Sequence, residues 1–280
     1  MKNKYEGFVP PGHFASTIPN LDEIKEAEDR VFGIPPRRIP GIRLNEEQQL
    51  ELLSSFTEFY ETVPFPRKPS EGFRYYFDNP GYGYSDAIFL YCMIRHLKPR
   101  HIIEVGSGYS SCVTLDTNRL FFDDSIDCTF IEPYPQLLLS LIDEKERQRI
   151  SIIPRKLQEV PLEVFEILEP NDILFIDSTH IVKTFGDVNR VFFEILPAIA
   201  SGVFVHFHDI WYPFEYPKEA VYQGVAWNEI YVLRAFLQYN EAFRIVAFNT
   251  FLEQLFPERF QESLPMCLEN KGASIWIQKM

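Results

Sequence analysis

The chain has 280 residues, a formal net charge of −13 at pH 7 and 46% hydrophobic residues. This length suits one large α/β domain with an extension, and the apolar fraction is enough for a sizeable core. The acidic balance argues against nucleic-acid binding and against docking on an anionic membrane, since both rely on basic surface.

The lack of recognisable targeting signals and the pattern of cysteines predict a cytoplasmic protein. No apolar run approaches the roughly 20 residues of a membrane-spanning helix, and the start MKNKYEGFVPPGHF lacks the apolar core of a signal peptide. The four cysteines lie far apart and form no CxxC pair, which is typical of reduced thiols rather than of disulfides or a zinc site. They are Cys92, Cys112, Cys128 and Cys267.

Residues 1–78 are predicted to form a proline-rich, helical extension. Paired prolines at 10–11 and 35–36 break regular structure. One helix is expected from the N-cap Asn20 to about Phe32, and another from about Asn45 to Phe59. We expect the extension to wrap over the active site of its own domain or of a neighbour's, which slightly favours a homodimer.

Residues 79–280 alternate between helices and short apolar strands. The strands are predicted at 101–105, 128–132, 150–153, 173–177, 202–207, 244–248 and 274–278. Apolar strands separated by helices indicate a parallel, doubly wound α/β sheet. No helix is expected between the last two strands, so the chain is predicted to finish in a hairpin-like pair, unlike the usual dinucleotide-binding fold.

The first strand of this domain runs into the glycine-containing turn Glu104-Val-Gly106-Ser-Gly108. Ser111 stands where a nicotinamide-binding fingerprint needs its third glycine. A carboxylate at position 104 repels a pyrophosphate but can hold the cationic methionine end of S-adenosylmethionine. Glu132 follows the second strand, where an acid can accept both ribose hydroxyls. Taken singly, these acids are as easily a solvated strand end and a helix N-cap; together they favour a cofactor site.

These motifs resemble those of class I S-adenosylmethionine-dependent methyltransferases. The resemblance spans about residues 80–280, and it is most specific to a bacterial group of metal-assisted small-molecule O-methyltransferases and cephalosporin-hydroxylase-like proteins. It implies a Rossmann-like, seven-stranded, mostly parallel sheet with an antiparallel last strand. It also implies a cofactor site built from Glu104, Gly106, Gly108, Glu132, Gln158 and Asp177, with Tyr84 and Ser85 closing over the cofactor.

Two further strand ends carry the candidate acceptor chemistry. The fourth strand leads into Asp177-Ser-Thr-His180, and the fifth into His206-Phe-His208-Asp209. In open α/β sheets ligands gather at the carboxyl ends of strands. The resemblance implies a divalent metal on Asp177, His208 and Asp209.

The chemistry of these donors leaves the metal and the base open. One imidazole with two carboxylates suits manganese, iron or zinc better than magnesium. His180 or His206 is the candidate general base. Any one of these histidines is more often structural, whereas the whole cluster favours function.

Residues 211–229 are rich in aromatic residues and proline, which predicts a lid or acceptor-binding loop. Arg234 follows this loop; it can meet an acidic acceptor, although a surface position is more usual. The leading hypothesis is methylation of a small-molecule acceptor, most simply on oxygen, although nitrogen stays open. A metal-dependent oxygenase or hydrolase is the alternative, and a nicotinamide oxidoreductase or a non-catalytic binding protein fits less well.

Overall fold

Seven strands form one mixed sheet in the computed structural model, which describes residues 7–280. In chain order the strands are β1 (His101–Val105), β2 (Asp127–Ile131), β3 (Ser151–Ile153), β4 (Ile173–Ile176), β5 (Phe204–His208), β6 (Phe243–Phe248) and β7 (Ser274–Lys279). Their order across the sheet is β3-β2-β1-β4-β5-β7-β6. Strand β7 pairs antiparallel with both β5 and β6. The predicted α/β fold, with its antiparallel last strand, is confirmed.

Fourteen α-helices flank the sheet within residues 7–280. They are α1 (Leu21–Glu26), α2 (Glu28–Val31), α3 (Glu46–Tyr60), α4 (Tyr84–Leu97), α5 (Tyr109–Phe121), α6 (Gln136–Leu141), α7 (Glu144–Arg147), α8 (Glu163–Glu166), α9 (Asp187–Arg190), α10 (Leu196–Ala198), α11 (Lys218–Tyr222), α12 (Glu229–Leu237), α13 (Asn249–Leu255) and α14 (Pro257–Ser263). A π-helical turn joins α9 to α10. None of the helices in this part of the chain is long and apolar enough to cross a membrane. The first six residues of the segment in which no signal-peptide core was found lie outside the described residues.

The connection between the last two strands differs from the sequence-based expectation. Helices α13 and α14 and a 3-10 turn at Pro265–Leu268 lie between β6 and β7. The strands are nevertheless antiparallel neighbours. The segment was misjudged because PERFQESLP carries a proline at each end, and proline is as common at the first turn of a helix as in a loop. The pairing was predicted correctly, but the absence of helices was wrong.

Helix α3 of the N-terminal extension, together with its N-cap residue Asn45, packs along the edge strand β6. The Asn45 side chain donates a hydrogen bond to the carbonyl oxygen of Ile245 over 3.1 Å. Gln49, which is fully buried, accepts from the backbone N–H of Phe248 over 2.7 Å and donates to the carbonyl oxygen of Leu44. An edge strand has unpaired backbone groups, and these side chains satisfy part of that edge.

We expect Gln49→Ala to destabilise the protein by about 3 kcal/mol, because it leaves a buried N–H and a buried carbonyl without partners. Urea unfolding followed by circular dichroism measures this change. Gln48→Ala is the matched control, since Gln48 is the exposed neighbour on the same helix, and its effect should stay within about 0.5 kcal/mol. Equal effects of the two substitutions would contradict the bridging role of Gln49.

Candidate functional site

The candidate site residues meet at the carboxyl edge of the sheet. Gly106 follows β1, Glu132 follows β2 and Asp177 follows β4, while His208 ends β5. These strands run parallel and in register, so their ends form one continuous edge. The edge is therefore lined by the polar residues that the sequence places after each strand.

A cleft of 430 Å³ lies over the ends of β1, β2, β3 and β4. Four predicted cofactor residues line it, namely Gly106, Glu132, Gln158 and Asp177. Glu132 uses one carboxylate oxygen to accept the backbone N–H of Tyr134, over 2.8 Å. Gln158 donates to the carbonyl oxygen of Phe185 over 2.9 Å. The cleft thus brings together the residues predicted to contact ribose and adenine.

Two exposed aromatic side chains of this cleft were not identified from the sequence. Tyr134 and Phe185 line it and are 71% and 76% exposed. Flat side chains of this kind stack on planar ligands. The signal was weak, because both residues stand in loops among many other aromatic residues.

Gly106 permits the close approach of two strand ends. Its φ is +86°, and a Cβ at this position would lie 1.9 Å from the carbonyl oxygen of Asp177. Glycine is therefore required here for two reasons: the backbone is left-handed, and there is no room for a Cβ atom beside the carbonyl oxygen of Asp177. Gly108 instead precedes α5, and its N–H donates to the Ser111 hydroxyl over 3.0 Å.

Glu104 is a fully buried carboxylate with one free oxygen. Its Oε1 accepts from the hydroxyls of Ser110 and Ser111, over 2.6 and 2.9 Å. Its Oε2 has no hydrogen-bond partner among the described residues. Burial raises the pKa of Glu104 to about 8, although the two serine hydroxyls oppose this shift. Glu104 lies behind the cleft and does not line it. A buried unpaired oxygen is costly, and a cationic group of a ligand, such as the methionine ammonium, would satisfy it.

Tyr84 and Ser85 were predicted to close over the cofactor, but the structure directs their side chains elsewhere. The Tyr84 hydroxyl donates to Asp78 over 2.6 Å. The buried Ser85 hydroxyl donates to Glu253 over 2.5 Å. Neither residue lines the cleft beside Glu132. The Tyr84 and Ser85 contacts tie α4 to the preceding segment and to α13.

Asp177, His180 and Asp209 converge between β4 and β5 and are called here the DHD cluster. One potential ligand atom from each lies within 4.8 Å of the others. His180 Nε2 is 3.3 Å from Asp177 Oδ1 and 3.5 Å from Asp209 Oδ2. His180 and Asp209 both adopt left-handed backbone conformations, with φ of +58° and +55°. Such conformations cost free energy in non-glycine residues and are concentrated at functional sites.

Glu229 holds the histidine of this cluster and was missed in the sequence. Its Oε2 lies 2.9 Å from His180 Nδ1, and both side chains are buried. The backbone N–H of Asn228 and that of Glu229 also donate to the His180 carbonyl oxygen. The helix N-terminus at Asn228-Glu229 is visible in the sequence, but its pairing with a residue 49 positions earlier depends on the tertiary fold.

The charge on His180 reflects these contacts. Burial alone would lower the pKa of His180, but hydrogen bonds with Asp177 and Glu229 outweigh it and raise that pKa to about 10. The same acids therefore favour positive charge at the center of the DHD cluster.

The other two candidate histidines, His206 and His208, lie outside the DHD cluster and differ from each other in their surroundings. His208 lies beside the DHD cluster, with Nε2 4.0 Å from Asp209 Oδ1, so the convergent set contains His180 where the resemblance implied His208. His206 lies in the core, stacked on Phe175 with ring centroids 4.0 Å apart. Burial lowers the pKa of His206 well below its ordinary value, so its imidazole is neutral. It lines neither of the clefts at this edge.

A second cleft, of 780 Å³, lies over the other half of the same edge. Its floor contains Trp211, which follows β5, Thr250, which follows β6, and Gly272, which precedes the antiparallel β7. Its walls are residues 29–36 and 211–219. In the order of the strands, the DHD cluster at the ends of β4 and β5 falls between these two clefts. Asp177 lines the first cleft, and none of the three residues lines the second.

We expect Glu104→Gln to change the pH dependence of stability. The raised pKa means that the folded chain keeps a proton between about pH 4.5 and 8 that the unfolded chain has lost. Its contribution to stability therefore falls as pH rises through this window, by up to about 1.4 kcal/mol per pH unit. Glutamine removes this slope, and the cofactor-free variant should gain stability at pH 8 relative to wild type.

The measurement is urea unfolding of the cofactor-free protein at pH 5, 7 and 9. The same variant should bind S-adenosylhomocysteine at least about tenfold more weakly, because it loses a charge-assisted hydrogen bond. Glu163→Gln, on the exposed side of α8, is the control. Identical pH slopes for wild type and Glu104→Gln would refute the assignment.

Comparison with known proteins gives the family. A family model described as a methyltransferase domain matches residues 103–210. The chain is 34% identical over 169 residues to an uncharacterized protein of Archaeoglobus fulgidus, an alignment that covers 59% of this chain and 75% of that protein.

Solved methyltransferases are also similar to this chain, at low sequence identity. A methyltransferase of Podospora anserina bound to S-adenosylhomocysteine superposes with a TM-score of 0.47 and 13% identity, covering 98% of this chain and 100% of that one. The O-methyltransferase TomG of Streptomyces achromogenes, solved with S-adenosylmethionine, gives 0.45 and 16%, covering 82% and 90%. TM-scores below 0.5 at 13% and 16% identity do not bear on function. The assignment of the chain to a family therefore depends on the sequence matches and on the cofactor cleft. The chain belongs to one family with the Archaeoglobus protein and is a class I S-adenosylmethionine-dependent methyltransferase.

Proposed function

We propose that this enzyme methylates an oxygen atom of a small-molecule acceptor, with a divalent cation held by the DHD cluster. The observation that carries the proposal is the position of this cluster between the two clefts. One cleft is lined by four of the predicted cofactor residues, and we assign the other, on the neighbouring half of the same edge, to the acceptor. A transfer reaction needs its two reactants to meet directly, and the proposal places that meeting point beside the cluster.

The donor set of the cluster fits a divalent cation. Two carboxylates and one imidazole nitrogen lie close enough together to share one ion. Because the acids favour the protonated form of His180, this residue would lose the proton on Nε2 when it binds the ion. This mixed set suits manganese, iron or zinc better than magnesium, which prefers oxygen ligands alone. A cation bound there supplies Lewis acidity, which lowers the pKa of an acceptor hydroxyl.

Glu229 orients the imidazole in this proposal. Its contact with Nδ1 leaves Nε2 directed toward Asp177 and Asp209. A carboxylate behind a ligating histidine fixes the ring and increases its basicity. Glu229 is therefore a positioning residue and not a ligand.

The cofactor supplies the methyl group as an electrophile on sulfur. In the transfer the S–CH₃ bond would break and the O–CH₃ bond would form, giving S-adenosylhomocysteine, the methyl ether of the acceptor, and one proton that passes from the acceptor hydroxyl to solvent. Glu104 fits the methionine ammonium and Glu132 the ribose. Residues 1–78 and 211–229 are proposed to exclude water from the acceptor, since residues 29–36 and 211–219 form the walls of the second cleft.

The proposal is tested with the purified, metal-stripped enzyme. We expect calorimetry to detect micromolar binding of S-adenosylhomocysteine, and turnover of a catechol panel to require added Mn²⁺. Asp209→Asn should lower turnover by about 100-fold or more, because it removes a charged ligand, while cofactor affinity stays unchanged. Asp127→Asn, an exposed aspartate at the opposite end of β2, is the control.

Two outcomes separate the parts of the proposal. Metal-independent turnover, or full activity of Asp209→Asn, would refute the role of the cation. Turnover of an acceptor without consumption of S-adenosylmethionine would favour the metal-dependent oxygenase or hydrolase alternative.

Glu229→Gln should weaken Mn²⁺ binding by about 10- to 100-fold, the usual effect of removing a carboxylate behind a ligating histidine. Titration followed by electron paramagnetic resonance measures this affinity without turnover. Glu219→Gln, an exposed residue on the nearby α11, is the matched control. Unchanged Mn²⁺ affinity in Glu229→Gln would show that Glu229 serves only the packing of α12.

A further inference from the structure

The acceptor cleft differs in charge from the rest of the site. Around the DHD cluster, five acids, three buried and two partly buried, outnumber the histidines, which suits cations. The cleft over β5-β7-β6 is instead lined by four basic residues and three acidic ones, in a chain whose net charge is −13. The four are Arg30, Lys218, Arg234 and Lys271.

Arg234 is the basic residue most directly available to a ligand. It is partly buried, in contrast to the other three, which are exposed. The described residues provide no carboxylate within 4.0 Å of its guanidinium and no side-chain hydrogen bond to it, whereas Lys218 is paired with Glu28 over 2.7 Å. A partly desolvated guanidinium without a partner is ready to bind an anion.

The acids of this cleft do not compensate Arg234. Glu215 accepts hydrogen bonds from the Tyr231 hydroxyl and from the backbone N–H of Tyr216. Asp29 and Glu219 are exposed. No acid of the cleft therefore neutralises the positive charge of Arg234, and this charge is available to a ligand in the cleft.

The cleft also has an aromatic wall that leads toward the cluster. Trp211 lies 5.8 Å from Tyr216, Tyr216 lies 6.1 Å from Trp227, and Trp227 lies 4.5 Å from His180, measured between ring centroids. Arg234 stands on α12, five residues after Glu229, which is about 7.5 Å along the helix axis. Tyr216 is buried and Trp227 is not part of the cleft lining, so the ring that a flat ligand can contact is the partly exposed Trp211, in the same cleft as Arg234.

We infer that the acceptor carries an anionic group, a carboxylate, sulfate or phosphate, on an aromatic or similarly flat body, and that Arg234 binds that group. This inference rests on the proposed function for the identity of the cleft. Arg234 is thus a specificity residue, with Lys271 as an exposed companion at the cleft.

The test uses three probes and the enzyme loaded with S-adenosylhomocysteine and Mn²⁺. The probes are 3,4-dihydroxyphenylacetate, the neutral 4-ethylcatechol, and phenylacetate, which has the anion but no hydroxyls. Calorimetry gives each Kd for wild type, for Arg234→Gln and for the control Arg244→Gln. Arg244 lies on β6 and contacts Gln278, away from both clefts.

We expect wild type to bind 3,4-dihydroxyphenylacetate at least about tenfold more tightly than 4-ethylcatechol, the value of one charge-assisted hydrogen bond. Arg234→Gln should abolish this preference and weaken phenylacetate to the same extent, with 4-ethylcatechol unaffected. Arg244→Gln should match wild type. Equal binding of the neutral and anionic catechols, no binding of either anion, or an unchanged preference in Arg234→Gln would overturn the inference.

Methylation, measured in parallel, keeps the two proposals apart. If Arg234 sets the binding preference, but no probe is methylated and Asp209→Asn leaves Mn²⁺ binding unchanged, the anion site stands and the proposed reaction fails. If 4-ethylcatechol is methylated as well as its acidic counterpart by wild type and by Arg234→Gln, the reaction stands and the anion site fails.

Discussion

The site is built around a group of closely spaced, buried or partly buried carboxyl groups. Five carboxylates, Asp86, Glu104, Asp177, Asp209 and Glu229, lie around His180 and His208. Burial and mutual repulsion raise the pKa of all of them except Asp177, whose pKa the two histidines lower. Unpaired buried charge is expensive, so cations beside this edge stabilise the ionised carboxylates. His180 is one such cation, and the cationic cofactor and the proposed divalent ion would be others.

The helices that pack on the sheet complete this arrangement. Asp86 is delivered by α4 and accepts hydrogen bonds from the backbone N–H of Ala273 and the hydroxyl of Ser274, which fixes the start of β7 against the site. Glu229 is delivered by α12 and fixes His180. The antiparallel insertion of β7 thus matters to the chemistry, because it brings the segment before β7 to the same edge as the segment after β5.

The sequence predicted those features of the fold and of the site that depend on a short, local pattern of residues. Apolar strands and the polar residue after each one are visible in a short window, so the sheet and the positions of Glu104, Glu132 and Asp177 were predicted. The sequence did not show that His180, rather than His208, joins the cluster. The left-handed turn that directs His180 inward is not marked by a glycine or asparagine. Glu229 and Arg234 depend on how α12 packs, and the side chains of Tyr84 and Ser85 on neighbours distant in the sequence. Such contacts have no local pattern.

The two clefts also differ in how the chain supplies them. The cofactor cleft is made within one continuous stretch, which falls inside the segment matched by the methyltransferase family model. The cleft proposed for the acceptor is assembled mainly from segments before and after that stretch, residues 29–36 and 211–272. On this proposal, substitutions in the flanking segments redirect the enzyme to new acceptors while the donor half is inherited unchanged. The selectivity of a homologue is thus best read from its flanks rather than from its shared center.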